Sequence, residues 1–168
     1  DQDLQQSTQY YPDRKYNYRA LIKEIVRLHT QGLIHRDLKA ENLVVDDADV
    51  IRSIDFSYTT RKSLGRDSRA GTIDYVDWLY FMGVVPVHEG CDYWALLVTL
   101  HKLVEATAGS SGALITEYKQ VEFGGISCRK LTKLTMVPGH QFWKDKVNHP
   151  IKQLMEVLSL YQPYPLID

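Results

Sequence analysis

Four side chains within one short stretch of the sequence are suited to phosphoryl transfer. Asp37 and Asp55 supply carboxylates, Lys39 supplies a cation and Asn42 supplies an amide. Such a reaction needs an acceptor hydroxyl held in line, neutralised phosphate charge and bound metal ions. A carboxylate accepts the hydroxyl proton, a lysine meets the phosphate, and carboxylate and amide oxygens are ligands that Mg²⁺ prefers. The residue types and their spacing therefore indicate a phosphoryl-transfer site.

A β-hairpin is predicted to bring these residues together. Residues 43–45 and 50–54 are short runs rich in β-branched side chains, and residues 46–49, Asp-Asp-Ala-Asp, are typical of a turn. A hairpin at this point would return Asp55 to the side of Asn42.

Helices are predicted on both sides of this hairpin. Residues 17–31 have apolar residues at helical spacing, followed by Gly32 at the position of a C-cap. Residues 92–106 are apolar on nearly every face, which is typical of a buried central helix. Pro150 begins a last amphipathic helix. A short helix or loop is expected over residues 1–16.

The remaining segments are predicted as loops and short helices. Residues 57–72 are polar and are interpreted as a mobile surface loop, and Gly109–Gly112 as another loop. Residues 114–118 and 130–136 are interpreted as short helices. The expected architecture is mainly α, a helical bundle around the buried central helix with one small hairpin.

The composition sets broad limits on the function. The chain has 168 residues, enough for one domain, and a formal net charge of −1, so no basic surface indicates nucleic acid or an anionic membrane as a partner. No apolar run reaches the length of a membrane span. Cys91 and Cys128 fit no metal or disulfide pattern. A cytoplasmic location is the default expectation, and a secreted effector remains an alternative.

Further motifs give the stretch a resemblance to a known family. His35-Arg36-Asp37-Leu38-Lys39 with Asn42 matches the pattern H-R-D-L-x-x-x-N, and Asp55-Phe56-Ser57 matches D-F-G with Ser in place of Gly. Gly71-Thr72 with Tyr75 and the run Asp92-Tyr93-Trp94-Ala95-Leu96 follow in the same order and at matching intervals. In these motifs the chain resembles the C-terminal lobe of eukaryotic-type protein kinases, of the serine/threonine kind.

The resemblance implies roles for individual residues, with ATP and Mg²⁺ as cofactors and a protein as substrate. Asp37 would be the catalytic base and Lys39 would stabilise the transferring phosphate. Asn42 and Asp55 would hold the metal, and Val44 would pack under the adenine. Five further residues would have supporting roles: Arg36 facing a phosphorylated loop residue, His35 and Phe56 stacking together, Thr72 marking with Lys39 the serine/threonine-specific branch, and Asp92 holding the catalytic loop.

The chain also departs from the family pattern. Among the 168 residues there is no Gly-rich loop and no V-A-I-K-type lysine, so all of residues 1–168 are expected to be a C-terminal lobe that needs an N-lobe from the same parent or an activating partner. Asp77-Trp78-Leu79 replaces A-P-E, and no Arg follows Arg129 to pair with it. The alternative interpretation is a pseudokinase or kinase-like binding module without turnover.

Overall fold

The structure is a computed structural model that describes residues 2–11, 13–61, 71–72, 74–77, 80, 86–123 and 125–161. Five helices and seven strands lie within these residues. In chain order they are β1 (Gln2–Asp3), α1 (Leu4–Tyr10), α2 (Arg19–Thr30), β2 (Leu33–Ile34), β3 (Leu43–Val45), β4 (Ile51–Ser53), β5 (Thr60–Arg61), α3 (Glu89–Glu105), β6 (Leu114–Phe123), β7 (Ile126–Met136), α4 (Gln141–Asp145) and α5 (Pro150–Leu158). Two 3₁₀ turns, Ala40–Asn42 and Ser159–Tyr161, complete the description.

The central helix α3 is buried on almost every side, as its sequence predicts. Trp94, Leu96, Leu97 and Leu100 are among its fully buried side chains. They form one hydrophobic core with residues from all the other helices, from β3 and β4, and from β7. The helix begins at Glu89 rather than at Asp92, because His88 accepts a hydrogen bond from the amide of Gly90 (3.1 Å) and caps the first turn.

The helix that precedes the loop of residues 35–42, α2, also lies close to its predicted position. It spans Arg19–Thr30 and buries Leu21 and Ile25 against the core. Gly32 has a φ of 75°, and its amide bonds to the carbonyl of His29 (3.0 Å), which closes the helix as expected of a C-terminal glycine. The predicted last helix is likewise present as α5, with Pro150 in its first turn.

The predicted hairpin consists of β3 and β4, paired antiparallel with Val44 opposite Arg52. The carboxylate of Asp46 accepts the amides of Ala48 (2.8 Å) and Val50 (3.1 Å) and so fixes the turn. β1 adds a third strand beside β3, which the sequence did not predict.

Two of the predictions for loops and short helices are wrong. Within residues 57–72, interpreted as a loop, β5 pairs with β2, placing Thr60 opposite Ile34. A two-residue pairing depends on the strand that the fold places beside it and leaves no periodic pattern in the sequence. Ser63 and Ser68 of that loop lie outside the described residues.

The larger error concerns residues 114–118 and 130–136, where short helices were predicted. The structure has a long antiparallel hairpin, β6–β7, from Leu114 opposite Met136 to Phe123 opposite Ile126. The strands are rich in β-branched and aromatic residues and meet at Gly125, whose φ is 81°. None of the described helices is long and apolar enough to cross a membrane.

Candidate active site

A buried carboxylate on α3, that of Asp92, holds the loop between β2 and β3. Asp92 accepts the backbone amides of His35 (to Oδ2, 2.9 Å) and Arg36 (to Oδ1, 2.9 Å). Nε2 of His29 contacts the same Oδ2 at 2.8 Å. Arg36 has a φ of 74°, a backbone conformation that is uncommon for residues other than glycine. The hydrogen bonds from the amides of His35 and Arg36 to Asp92 hold the backbone in it.

The next residue of the loop, Asp37, lies at the centre of a polar cluster. Its Oδ1 accepts a hydrogen bond from the hydroxyl of Thr72 (2.8 Å), and its Oδ2 accepts one from Nδ2 of Asn42 (3.0 Å). Lys39 donates from Nζ to the same Thr72 oxygen (2.9 Å). The structure therefore brings together Asp37, Lys39, Asn42 and Thr72, which the sequence separates by up to 35 positions.

The hairpin returns the segment that carries Asp55 to the backbone of Asn42. The amide of Ile54 donates to the carbonyl of Asn42 (3.0 Å), which fixes the start of the segment after β4. Oδ1 of Asp55 accepts the amide of Ser57 (2.9 Å) and its hydroxyl (2.5 Å). The hydroxyl bond, and after it the amide bond, lower the pKa of Asp55 below the usual aspartate value.

The oxygens of Asn42 and Asp55 fit the requirements of a magnesium site. Nδ2 of Asn42 is engaged with Asp37, so its amide oxygen is the atom oriented to bind a cation. Asp55 retains Oδ2, and its bonds from Ser57 keep the carboxylate ionised to lower pH than an ordinary aspartate. Both are hard oxygen donors of the kind Mg²⁺ takes alongside waters and phosphate oxygens.

His35 and Phe56 lie against each other, with ring centroids 5.1 Å apart and an interplanar angle of 57°. Burial lowers the pKa of His35, and this outweighs the opposing charge of Asp92. A neutral imidazole can accept through Nδ1, which receives the amide of Asp37 at 3.2 Å. Phe56 remains 44% exposed.

Arg36 and Val44 lie at the two ends of the stretch that contains the site residues Asp37 to Asn42. The guanidinium of Arg36 donates from Nε to the carbonyl of Tyr58 (2.6 Å) and from Nη1 to the hydroxyl of Tyr80 (3.3 Å). The phosphorylated partner was predicted within the loop of residues 57–72, of which residues 62–70 lie outside the described part of the chain. That role of Arg36 stays a prediction. Val44 is a partly buried residue of β3.

A second polar cluster lies at the start of α3 and contains three groups that bind metals in other proteins. Potential ligand atoms of Asp77, His88 and Cys91 all lie within 4.8 Å of one another. Nδ1 of His88 accepts the amide of Gly90, so its proton is on Nε2, which faces Oδ2 of Asp77 at 3.2 Å. Burial raises the pKa of the Cys91 thiol to about 12. A metal bound here would have to displace the protons of Nε2 and of the thiol, and in this structure the cluster packs the start of α3 against Asp77.

Several residues of the site were not predicted from the sequence. His29 adds a third contact to Asp92, and the carbonyl of Tyr58 and the hydroxyl of Tyr80 receive Arg36. Leu79, at the position of the expected A-P-E glutamate, lies outside the described residues. His29 is one polar residue among others on α2, so its position in the sequence does not indicate that it contacts Asp92.

Comparison with known proteins decides the family. A family model described as the protein kinase domain matches residues 4–164 of the chain. The chain belongs to the protein kinase family. The family match covers the catalytic loop, the central helix and the β6–β7 hairpin alike.

Individual kinases match over smaller portions. The chain is 28% identical over 166 residues, 89% of its length, to a protein of Arabidopsis thaliana named as a probable serine/threonine-protein kinase, and covers 27% of that protein. It is 34% identical over 88 residues, 48% of its length, to cGMP-dependent protein kinase isozyme 1 of Drosophila melanogaster, and covers 10% of it. The chain thus spans about a quarter or less of these kinases.

A solved structure is similar in fold. The chain superposes on a chain of the yeast RNA Pol II CTD kinase CTDK-1 complex with a TM-score of 0.53 at 21% sequence identity. The match covers 65% of this chain and 38% of that one. At this identity the similarity shows a kinase-like fold.

Proposed function

We propose that this chain is the C-terminal lobe, residues 1–168, of a protein kinase that transfers the γ-phosphate of ATP to a serine or threonine of a protein substrate. The observation that carries the proposal is the pair of hydrogen bonds made by the hydroxyl of Thr72. This hydroxyl accepts a hydrogen bond from Lys39 and donates one to Asp37, so the proposed base, a cation and the segment that contains Thr72 meet in one cluster. The serine/threonine names of the similar kinases support the same choice of acceptor.

The proposed reaction begins at Asp37. Its carboxylate is oriented by Asn42 and Thr72, and it accepts the proton of the substrate hydroxyl as that oxygen bonds to the γ-phosphorus and the bond to ADP breaks. Lys39, held within this cluster, supplies positive charge beside the equatorial phosphate oxygens. Positioning and charge neutralisation account for the rate enhancement that this class of transfer needs.

Magnesium would be held by Asn42 and Asp55. When bound, it would neutralise negative charge on the phosphates of the nucleotide. The chain's own contribution is to restrict the Asp55 carboxylate through its bonds from Ser57 and to direct the amide oxygen of Asn42 by engaging its nitrogen with Asp37. Val44 is proposed to contact the adenine from the strand that leads out of the catalytic loop.

An N-lobe of the same parent, or an activating partner, is proposed to complete the nucleotide cleft. Ile54, Phe56 and Tyr58 follow β4 and have 53%, 44% and 44% of their surface exposed. Exposed apolar side chains at every second position beside the proposed catalytic cluster are typical of a surface that another domain or protein covers. The share of the similar kinases that this chain spans is consistent with that arrangement.

The test is phosphate transfer by the full-length protein carrying Asp37→Asn. We expect loss of at least about a hundredfold in kcat, because the amide cannot accept the hydroxyl proton. Asp47→Asn, an exposed residue of the β3–β4 turn, is the matched control and is expected to keep full activity.

Undiminished transfer in Asp37→Asn would refute the assigned role. If the unmutated protein binds a protein partner and transfers no phosphate, the alternative of a kinase-like binding module is correct instead.

A further inference from the structure

Lys130 of β7 is almost completely buried, with 2% of its surface exposed. The next residue, Leu131, is buried too, although consecutive residues of a regular strand point to opposite faces. The pairing with β6 shifts between Glu117 and Tyr118, because it skips Thr132 of β7. Tyr118 pairs with Leu131 and Lys119 with Lys130, so Lys130 and Leu131 lie in regular pairing on opposite faces of the hairpin, and both faces are covered at this point.

The ammonium of Lys130 binds a backbone carbonyl of the segment that carries Thr72. Nζ donates to the carbonyl of Val76 at 2.7 Å. Burial lowers the pKa of Lys130 to about 8, and the charges of Asp74 and Asp77 act in the opposite direction. An apolar residue at this position would avoid the desolvation of an ammonium, so stability alone does not account for a lysine.

A short series of hydrogen bonds connects this lysine with Asp37. The amides of Tyr75 and Val76 both donate to the carbonyl of Thr72, at 2.8 and 3.1 Å. The hydroxyl of Thr72 in turn donates to Asp37 at 2.8 Å. Lys130 therefore anchors the far end of a tight turn whose near end contacts the proposed base.

We propose that Lys130 is a positioning residue for the acceptor-side segment, defined as residues 71–72 and 74–77. It ties this segment to the β6–β7 hairpin and thereby holds Thr72 against Asp37. It acts through Val76 and touches neither substrate nor nucleotide. The inference rests on the proposed function only in its consequence for the protein acceptor, whereas the anchoring itself can be measured without turnover.

The first test is amide hydrogen exchange in the full-length protein carrying Lys130→Met. We expect the amides of Tyr75 and Val76 to exchange about ten- to a hundredfold faster, because a charge-assisted bond to their turn is lost. Lys133→Met, an exposed lysine of the same strand, is the matched control and is expected to leave both amides unchanged. Amides of α3 serve as an internal reference for global stability.

Equal exchange of the two amides in Lys130→Met and Lys133→Met would overturn the proposal. So would a uniform increase that includes α3, since that would mean a general loss of stability. If Lys130→Met does not fold, Lys130→Gln is compared with Lys133→Gln. The amide keeps a donor but no charge, and several-fold faster exchange at Tyr75 and Val76 is expected because charged bonds are about twice as strong. Equal exchange in that pair overturns the proposal as well.

The second test is kinetic and separates the acceptor from the nucleotide. For Lys130→Met we expect the KM for the protein substrate to rise about tenfold, while the KM for ATP stays within about twofold of its original value. An equal rise in both constants would overturn the positioning role. Absence of phosphate transfer in the unmutated protein would refute the proposed function and leave the exchange result standing.

Discussion

Ser57 gives the carboxylate of Asp55, a proposed metal ligand, a hydroxyl partner that a glycine could not provide. It stands where the resemblance predicts the glycine of D-F-G, and it donates twice to one oxygen of Asp55, from its amide at 2.9 Å and its hydroxyl at 2.5 Å. The second oxygen is left for a cation. At the scale of single residues, the substitution restricts the rotation of the carboxylate and favours its ionised form.

Replacing Ser57 by alanine removes the hydroxyl bond and keeps the amide bond. Because the hydroxyl is the largest cause of the lowered pKa of Asp55, we expect that pKa to rise toward the ordinary aspartate value. The wild-type carboxylate would then stay ionised to lower pH than that of the variant. NMR titration of the metal-free protein measures the shift, and Ser111→Ala in an exposed loop is the control. An Asp55 pKa that is the same in both variants would contradict this explanation.

Between elements, Gly71 packs tightly against the loop between β2 and β3. Gly71 has a φ of 115°, and a Cβ added there would lie 2.6 Å from the carbonyl oxygen of Arg36 and 2.7 Å from Cγ1 of Val76. The acceptor-side segment can therefore pack against the loop only because residue 71 has no side chain.

Gly71→Ala is expected to lower the free energy of unfolding by about 1–3 kcal/mol, the usual range for a strained backbone conformation. It is also expected to reduce phosphate transfer, because the segment must move away from Asp37. Gly139→Ala is the matched control, since a Cβ there meets nothing within 4 Å. Urea unfolding measures the first effect, and similar unfolding curves for the two variants would show that the contact is not tight.

The elements that the sequence predicts are those determined by local pattern. α2, α3 and α5 follow apolar spacing and capping residues, and β3–β4 follows two β-branched runs around a turn. The β6–β7 hairpin was missed because residues 114–136 mix apolar and charged residues without a clear period. Local strand preference and Gly125 were the available signals.

The candidate site divides in the same way. Motif spacing located Asp37, Lys39, Asn42 and Asp55, because their chemistry lies within one stretch of sequence. Lys130 could not be found, since nothing in the sequence distinguishes it from a surface lysine until the segment packed over it is known.

For the whole molecule, Lys130 gives stability a dependence on alkaline pH. Its pKa is lowered to about 8 in the folded chain from 10.5, so between these values the unfolded chain binds more protons. Stability contributed by this group therefore rises with pH across that window. The gap corresponds to at most about 3 kcal/mol.

The difference in free energy of unfolding between wild type and Lys130→Met is expected to shift in favour of the wild type by up to about 3 kcal/mol from pH 8 to pH 10.5. Urea unfolding at a series of pH values measures it. The difference in free energy of unfolding between wild type and Lys133→Met is expected to stay constant over this pH range. A difference between wild type and Lys130→Met that is also independent of pH would disprove the effect.

The contacts around Asp37 differ greatly in the length of chain that they close. Asn42 lies 5 residues from Asp37, Thr72 lies 35 residues from it, and Lys130 lies 54 residues from Val76. The entropy lost on closing a loop grows with its length. The half of the site that holds the base and the proposed metal ligands therefore forms from local contacts at small entropic cost. The acceptor side is assembled from distant parts of the chain, and it is the half that a partly unfolded molecule loses first.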